Sequence, residues 1–265
     1  MKDENKVLIS AHQIASIAKN TYKESIRSRI FYILMAFAIV ILGFAVILSF
    51  VTLGSQKRVI LDLGLAGTSF FSVMTSIFVG IGLIYMEIVK KTIYNVLSKP
   101  MPRSLFIIGR YFGMMAVLGT NLFAMLLILS VLLAFFKGFT FMLFYAGFFI
   151  YMELAIITAI AIFFSSVASP VLSAICTLSF YIIGHTSFTF PEILVPLLHS
   201  QAQKKIALAL FHLLPDLSTL NVCNLITYEV PIAQGFTIRA IIYTLFYVIF
   251  LLFAACLLFR KRDLV

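Results

Sequence analysis

The stretch Glu87–Arg110, EIVKKTIYNVLSKPMPRSLFIIGR, sets the layout of the chain because it is a compact charge cluster between two long uncharged segments. It carries Lys90, Lys91, Lys99, Arg103 and Arg110 against the single acid Glu87. A short basic loop between apolar spans belongs on the cytoplasmic side under the positive-inside rule. Its first half, residues 87–97, has no Pro or Gly and places Ile88, Lys91 or Thr92, and Asn95 on one side. That half therefore continues the preceding helix or forms a short surface helix. Pro100 and Pro102 stop it, since each lacks an N–H and restrains the residue before it. The expected product is a stiff elbow at the membrane surface, available to a cytosolic partner or to anionic lipid headgroups.

Working outward, the composition excludes an ordinary soluble domain. The 265 residues are 62% apolar and 11% charged, with a mean hydropathy of +1.11. An all-α polytopic membrane protein is the class these values define. The net charge of +10 sits in short segments flanking apolar spans, with no recognition helix or aromatic–basic platform, so topology and lipid explain it better than nucleic acid. Cys176, Cys223 and Cys256 have neither disulfide density nor metal-site spacing. Four scattered His residues form no metal pattern, and the Ser-rich turns lack an acid–base partner, so no catalytic, cofactor or metal site is expected in this chain. Residues 1–29 are too polar for a removable signal peptide, and the first span is expected to direct its own insertion.

Residues 1–10 read as a polar tail. From about Ala11 to Arg29, Ile14, Ile17, Ala18, Thr21, Tyr22, Ser25 and Ile26 form a mostly apolar stripe, with Lys19, Lys23, Glu24 and Arg27 mainly off it. Such a helix lies in the membrane interface or packs on the protein's own cytosolic rim. Span one is Ile30–Leu53, long enough to cross roughly 30 Å of hydrocarbon. An external connection of about 54–67, in which LDLGLAG starts the next helix, leads to span two at 68–86. Span three begins near Leu105 or Arg110 and ends at Phe136; Gly109 and Gly113 have a small-xxx-small spacing that permits close helix approach but also arises by chance. Lys137 and Gly138 turn the chain into span four, about 141–164.

Pro170 favours the first turn of span five, about 171–184, which is short and which His185–Phe190 completes or bends. Residues 185–235 then form an external region, in which Ile206–Leu214 is too short to span and reads as a re-entrant or surface helix. A last span ends at Phe259, before Arg260, Lys261 and Arg262. The sum is six crossings with both termini inside. Six cations in 1–29, five in 87–110 and three in the tail fall inside, against six of the twenty outside. Inside span four lies Glu153. At a helix centre an acidic residue costs roughly 2.5–3.5 kcal/mol, so it must face the bundle interior, a partner or water. A structural hydrogen bond, a switch contact and a proton or substrate relay all meet that demand, with Tyr151 and neighbouring helices as possible donors.

In this order, KNTYKESIRSRIFYIL, DLGLAG, EIVKKTIYNVLSKPMPRSLFIIGRYFG, FFSSVASPVLSA, LLPDLSTLN and RKRDL resemble the type-2 ABC-transporter permease family, whose membrane subunits are made separately from their ATPase. The resemblance covers nearly the whole chain. It implies a connecting helix of about Ile14–Arg29, steadied by Glu24 and Arg27, six membrane helices in one domain over 30–265, and a coupling element within 87–104. Glu87, Lys90, Lys91, Thr92, Lys99, Pro100 and Arg103 are then the residues expected to meet the ATPase. The chain has no GxxxxGK[ST] loop; ATP and Mg are accordingly expected on two soluble partner subunits, beside a second permease copy or close paralogue in a prokaryotic inner membrane. The implied work is export. The alternatives are a proton- or ion-coupled secondary transporter, resting on Glu153 but lacking a visible internal repeat, and a non-transporting membrane assembly protein.

Overall fold

Uninterrupted apolar sequence without proline dictates helices, because a backbone in hydrocarbon has to satisfy its own N–H and C=O groups. The computed structural model describes residues 2–51, 56–89, 103–136, 138–186, 215–228 and 235–261. Over these it forms eight α-helices: α1 (Lys2–Ile26), α2 (Arg29–Val51), α3 (Gln56–Val89), α4 (Arg103–Phe135), α5 (Met142–Val167), α6 (Pro170–Thr186), α7 (Cys223–Thr227) and α8 (Phe236–Lys261). A single 3-10 turn, Ser218–Leu220, precedes α7. Five of the helices, α2, α3, α4, α5 and α8, are long and apolar enough to cross a bilayer. The chain is a multi-pass α-helical membrane protein.

Burial separates a centre from a rim. In α5, 72% of the spanning residues are buried, against 22% in α2 and 17% in α8, so α5 is the core element and the other two turn a wide apolar face outward. Phe37, Val40, Phe44 and Ile47 on α2, with Ile242, Phe246 and Ile249 on α8, are exposed, as expected of side chains that face lipid tails. α5 is surrounded by α3, α4, α6 and α8, and α2 leans on α3. Tyr145 and Thr237 share a hydroxyl hydrogen bond of 2.5 Å, and Phe149 stacks on Phe236, which fixes the start of α8 against α5. At the other end Phe106 of α4 stacks on Phe259 of α8.

Among the described residues five long spans are found, against six expected: α6 has 17 described residues, a rise of about 26 Å against the roughly 30 Å of a bilayer core, and the residues after Thr186 lie outside the described ones. Two local expectations are corrected. Of the proposed external connection at 54–67, residues 56–67 are helix, since α3 begins at Gln56. Its glycines are seams rather than breakers there, Gly64 facing Leu129 and Gly67 facing Ile41. Residues 2–10, read as a tail, belong to α1. The turn at Ser165–Pro170 is as expected: α5 ends at Val167 and Pro170 opens α6. The proposed surface helix at Ile206–Leu214 lies outside the described residues.

The spacing of Gly109 and Gly113 marks a real helix contact, and the partner is α1. A Cβ at Gly109 would lie 2.8 Å from Ile17 Cβ; one at Gly113 would lie 2.6 Å from Thr21 Cβ and 2.7 Å from the Ala18 carbonyl oxygen. Backbone cannot swing aside as a side chain can. Gly113→Ala is therefore expected to lower stability by about 1–3 kcal/mol through overpacking. Gly43→Ala, with nothing within 4 Å of the added carbon, is expected to be neutral or to gain about 0.5–1 kcal/mol. Thermal denaturation of the two variants in one detergent checks this, and equal melting temperatures would contradict the α1–α4 seam.

Candidate functional site

A carboxylate inside an apolar helix must find a donor, and Glu153 finds one across the bundle. Its residue is 1% exposed, eleven positions into α5, and its Oε1 lies 2.7 Å from Nε2 of His185, one residue before the end of α6. The geometry serves two proton arrangements: an imidazole N–H donating to the carboxylate, or a carboxyl O–H donating to the bare ring nitrogen. His185 is held by the Tyr181 ring, edge-to-face at 4.7 Å between centroids. One helical turn separates these two residues, so α6 presents both to α5.

The carboxylate also borders the short helix α7. Cys223, its first residue, is buried. Burial pushes its thiol up to about 12, and the nearby Glu153 and Asp62 carboxylates push in the same direction. The thiol is thus a protonated packing group at neutral pH rather than a nucleophile. Cys176 and Cys256 are free as well. Among the described residues, no three His, Cys, Asp or Glu side chains come together to hold a metal ion.

Backbone contacts carry this pair outward to the cap. Gly184, adjacent to His185, accepts a hydrogen bond at 3.1 Å from the Leu217 N–H. A side chain at Gly184 would collide with Leu217 and with the Pro215 carbonyl. The next N–H, that of Asp216, donates to the Tyr243 hydroxyl of α8 at 2.6 Å. The Asp216 carboxylate in turn accepts from the backbone N–H and hydroxyl of Ser218 and from the Thr219 hydroxyl, at 3.1, 2.5 and 2.6 Å. Residues 215–219, PDLST, thus fold as a turn closed by its own aspartate, tying α6 to α8.

A second buried charge lies at the opposite end of the bundle. Arg110, 3% exposed, sits between Gly109 and Tyr111 on α4; its NH1 lies 3.8 Å from Glu24 Oε2 of α1, and its guanidinium lies over the Phe106 ring at 5.3 Å. The ion pair of Glu24 is therefore with Arg110 on another helix, not with Arg27 one turn along α1 as the helical spacing suggested. Arg110 itself belongs to the α1–α4 seam rather than to the elbow.

Of the expected elbow residues, Glu87 lies in the last turn of α3 and Arg103 is the first residue of α4. Lys90, Lys91, Thr92, Lys99 and Pro100 lie outside the described residues. Sequence reasoning picked out Glu153 but missed His185, Tyr181 and Cys223, which are brought to it by the fold from 28 to 70 positions away. Neither a scan against protein-family models nor a search of curated proteins gives a match. What stands is a multi-pass α-helical membrane protein, consistent broadly with a transporter-type subunit.

The Glu153–His185 pair is testable as a coupling. His185→Leu, which strands a carboxylate that is 1% exposed, is expected to cost about 3–5 kcal/mol. Glu153→Leu strands only a partly exposed imidazole and costs about 1–3 kcal/mol. The double variant costs less than the sum, with a coupling of about 1–3 kcal/mol. Denaturant titration in mixed micelles measures all four corners of the cycle; strict additivity would show that the two side chains do not meet.

Proposed function

We propose that the chain is the membrane-spanning permease subunit of an ATP-driven exporter whose ATP is hydrolysed on separate soluble subunits. One observation supports it most: α4, the helix that starts where the basic elbow ends, is bound along its first turns to the amphipathic helix α1. Gly109 and Gly113 give close backbone contact and Glu24–Arg110 adds a charged one. A push on the elbow at 87–104 would move α1 and α4 as one body. The resemblance of the elbow sequence to type-2 ABC permeases supplies the direction of this reading.

In this scheme the elbow faces the cytosol, both termini lie inside, and the chain crosses the membrane six times. Closure of two ATPase subunits drives Glu87, Lys90, Lys91, Thr92, Lys99, Pro100 and Arg103 against the membrane domain. The helices repack between two discrete arrangements, opening a route through or alongside the bundle. A second copy or a close paralogue completes the membrane part, in a prokaryotic inner membrane. ATP and Mg stay with the partners.

A second reading, proton-coupled secondary transport, is favoured by Glu153–His185, since ionisable pairs inside spans recur in proton relays. One preparation separates the two. Mild-detergent purification of the tagged chain is expected to bring down a soluble ATPase, and Glu87→Ala is expected to lower its turnover several-fold while leaving the complex assembled. Copurification of no ATPase, together with uptake or efflux in vesicles driven by a proton gradient and abolished by Glu153→Gln, would overturn the ATP-driven reading in favour of the second.

A further inference from the structure

The two faces of α1 are occupied differently. Ile17, Thr21 and Ser25, four residues apart in turn, form the face turned to α4: Thr21 and Ser25 are buried, and Ile17 and Thr21 meet Gly109 and Gly113. Lys19, Lys23 and Arg27 repeat at the same interval two positions later, about 200° around the helix, and all three are exposed. A helical bond from the Arg27 N–H to the Lys23 carbonyl, at 3.3 Å, keeps the third cation in line with the others. Glu24, the one acid among the described side chains of α1, is drawn away to Arg110. Among the described residues none of the three cations, nor exposed Arg29 at the start of α2, is in an ion pair. The outward face of α1 is a row of positive charge.

Position says what meets this row. The apolar run of α8 ends at Phe259, whose ring stacks on Phe106; that of α2 begins at Ile30, just after Arg29. Cations that close apolar spans mark the level of the lipid headgroups. α1 lies between these two marks: Ile17 touches Gly109, one turn beyond Phe106, and Ile26 is the last residue of α1 before α2 opens at Arg29. Because its apolar face is spent on α4, α1 cannot be held at the membrane by burying that face in lipid. What it offers there is charge. Beyond Arg29, Ile33, Phe37, Val40 and Phe44 form an exposed ridge of α2 at helical spacing. A lipid reaches both the cations and this ridge at once, whereas a soluble acidic protein reaches only the cations.

We infer that Lys19, Lys23, Arg27 and Arg29 seat the phosphates of phospholipids that carry net negative charge, with acyl chains lying along the α2 ridge. Attraction of this kind depends on the number of cations near the surface rather than on one fixed side-chain geometry, and long stems let the charged ends reach the headgroups. Since Gly109 and Gly113 fasten α1 to α4, lipid charge bears on α4 as well. The inference stands apart from the ATP-driven reading, because such lipid can seat on α1 in any transporter or assembly protein.

The test is lipid retention by the full chain, measured by native mass spectrometry after release from nanodiscs of equal phosphatidylglycerol and phosphatidylethanolamine with matched acyl chains. Wild type is expected to keep phosphatidylglycerol in preference to phosphatidylethanolamine. Lys23→Gln, at the centre of the row, is expected to lower that preference about fivefold, the scale of one cation at an anionic surface. The triple change Lys19→Gln, Lys23→Gln and Arg27→Gln is expected to abolish it, and Lys19→Arg with Lys23→Arg to keep it. Arg58→Gln, which removes an exposed cation at the other end of α3, is expected to leave it unchanged. No preference in wild type would overturn the inference, as would an equal loss in Arg58→Gln, which would make net charge alone responsible. A preference that survives both Lys23→Gln and the triple change would also overturn it, and would leave the row to an acidic protein surface.

Discussion

A carboxylate cannot be left alone in hydrocarbon, and the bundle is arranged around meeting that demand at Glu153. α5 is the most buried of the spans and its one acid lies on the buried face, so that acid cannot reach a bilayer surface, and roughly 2.5–3.5 kcal/mol would be forfeited without a partner. His185 supplies it at 2.7 Å. A buried pair of this kind adds little net stability over an apolar one of the same shape, but losing one member is costly. Its effect is therefore on specificity: α6 can lie against α5 in one register only, and the cap at 215–228 inherits that register through Gly184 and Leu217.

Between apolar helices in lipid there is no hydrophobic force to choose one packing over another, so contact geometry chooses. Small residues perform this at each seam. Gly64 admits Leu129, Gly147 admits Leu126, and Gly109 with Gly113 admit the backbone of α1. Polar side chains add interhelical bonds where the backbones are close: Ser76 with Thr158 at 2.9 Å, Tyr111 to the Ala155 carbonyl at 3.3 Å, and Tyr151 to the Met115 carbonyl at 3.2 Å. The last of these shows that Tyr151, considered from the sequence as a donor for Glu153, is committed to α4. The functional consequence is a stiff α3–α4–α5 centre, with α1 fastened to one end and a turn-built cap at the other.

Much of this architecture was legible from hydropathy and proline position. The long spans, the break before Pro170 and the stop at Arg260 follow from composition alone, because bilayer thickness fixes helix length. The start of α3 was not legible: Lys57, Arg58 and Asp62 looked like loop residues, yet they sit on a helix whose polar first turns reach beyond the apolar core. Lys57 lays its stem against Gly138 in the α4–α5 turn. Five of the six expected spans are long helices among the described residues; at α6 the described residues number 17, and those after Thr186 lie outside them. At the site, burial cost singled out Glu153, but pairing is a property of three dimensions. His185 lies 32 positions away with no local pattern to link the two. The Gly109–Gly113 spacing announced a contact without naming α1.

The claim on which the account rests is that Glu153 and His185 touch within the bilayer. Nitrogen-15 NMR of the His185 imidazole in lipid, comparing wild type with Glu153→Gln, reads that contact at the atom concerned. A change in the Nε2 resonance confined to His185, with His12 unmoved, is the predicted result. An identical His185 spectrum in both proteins would contradict the pair, and with it the register of α6 and its cap.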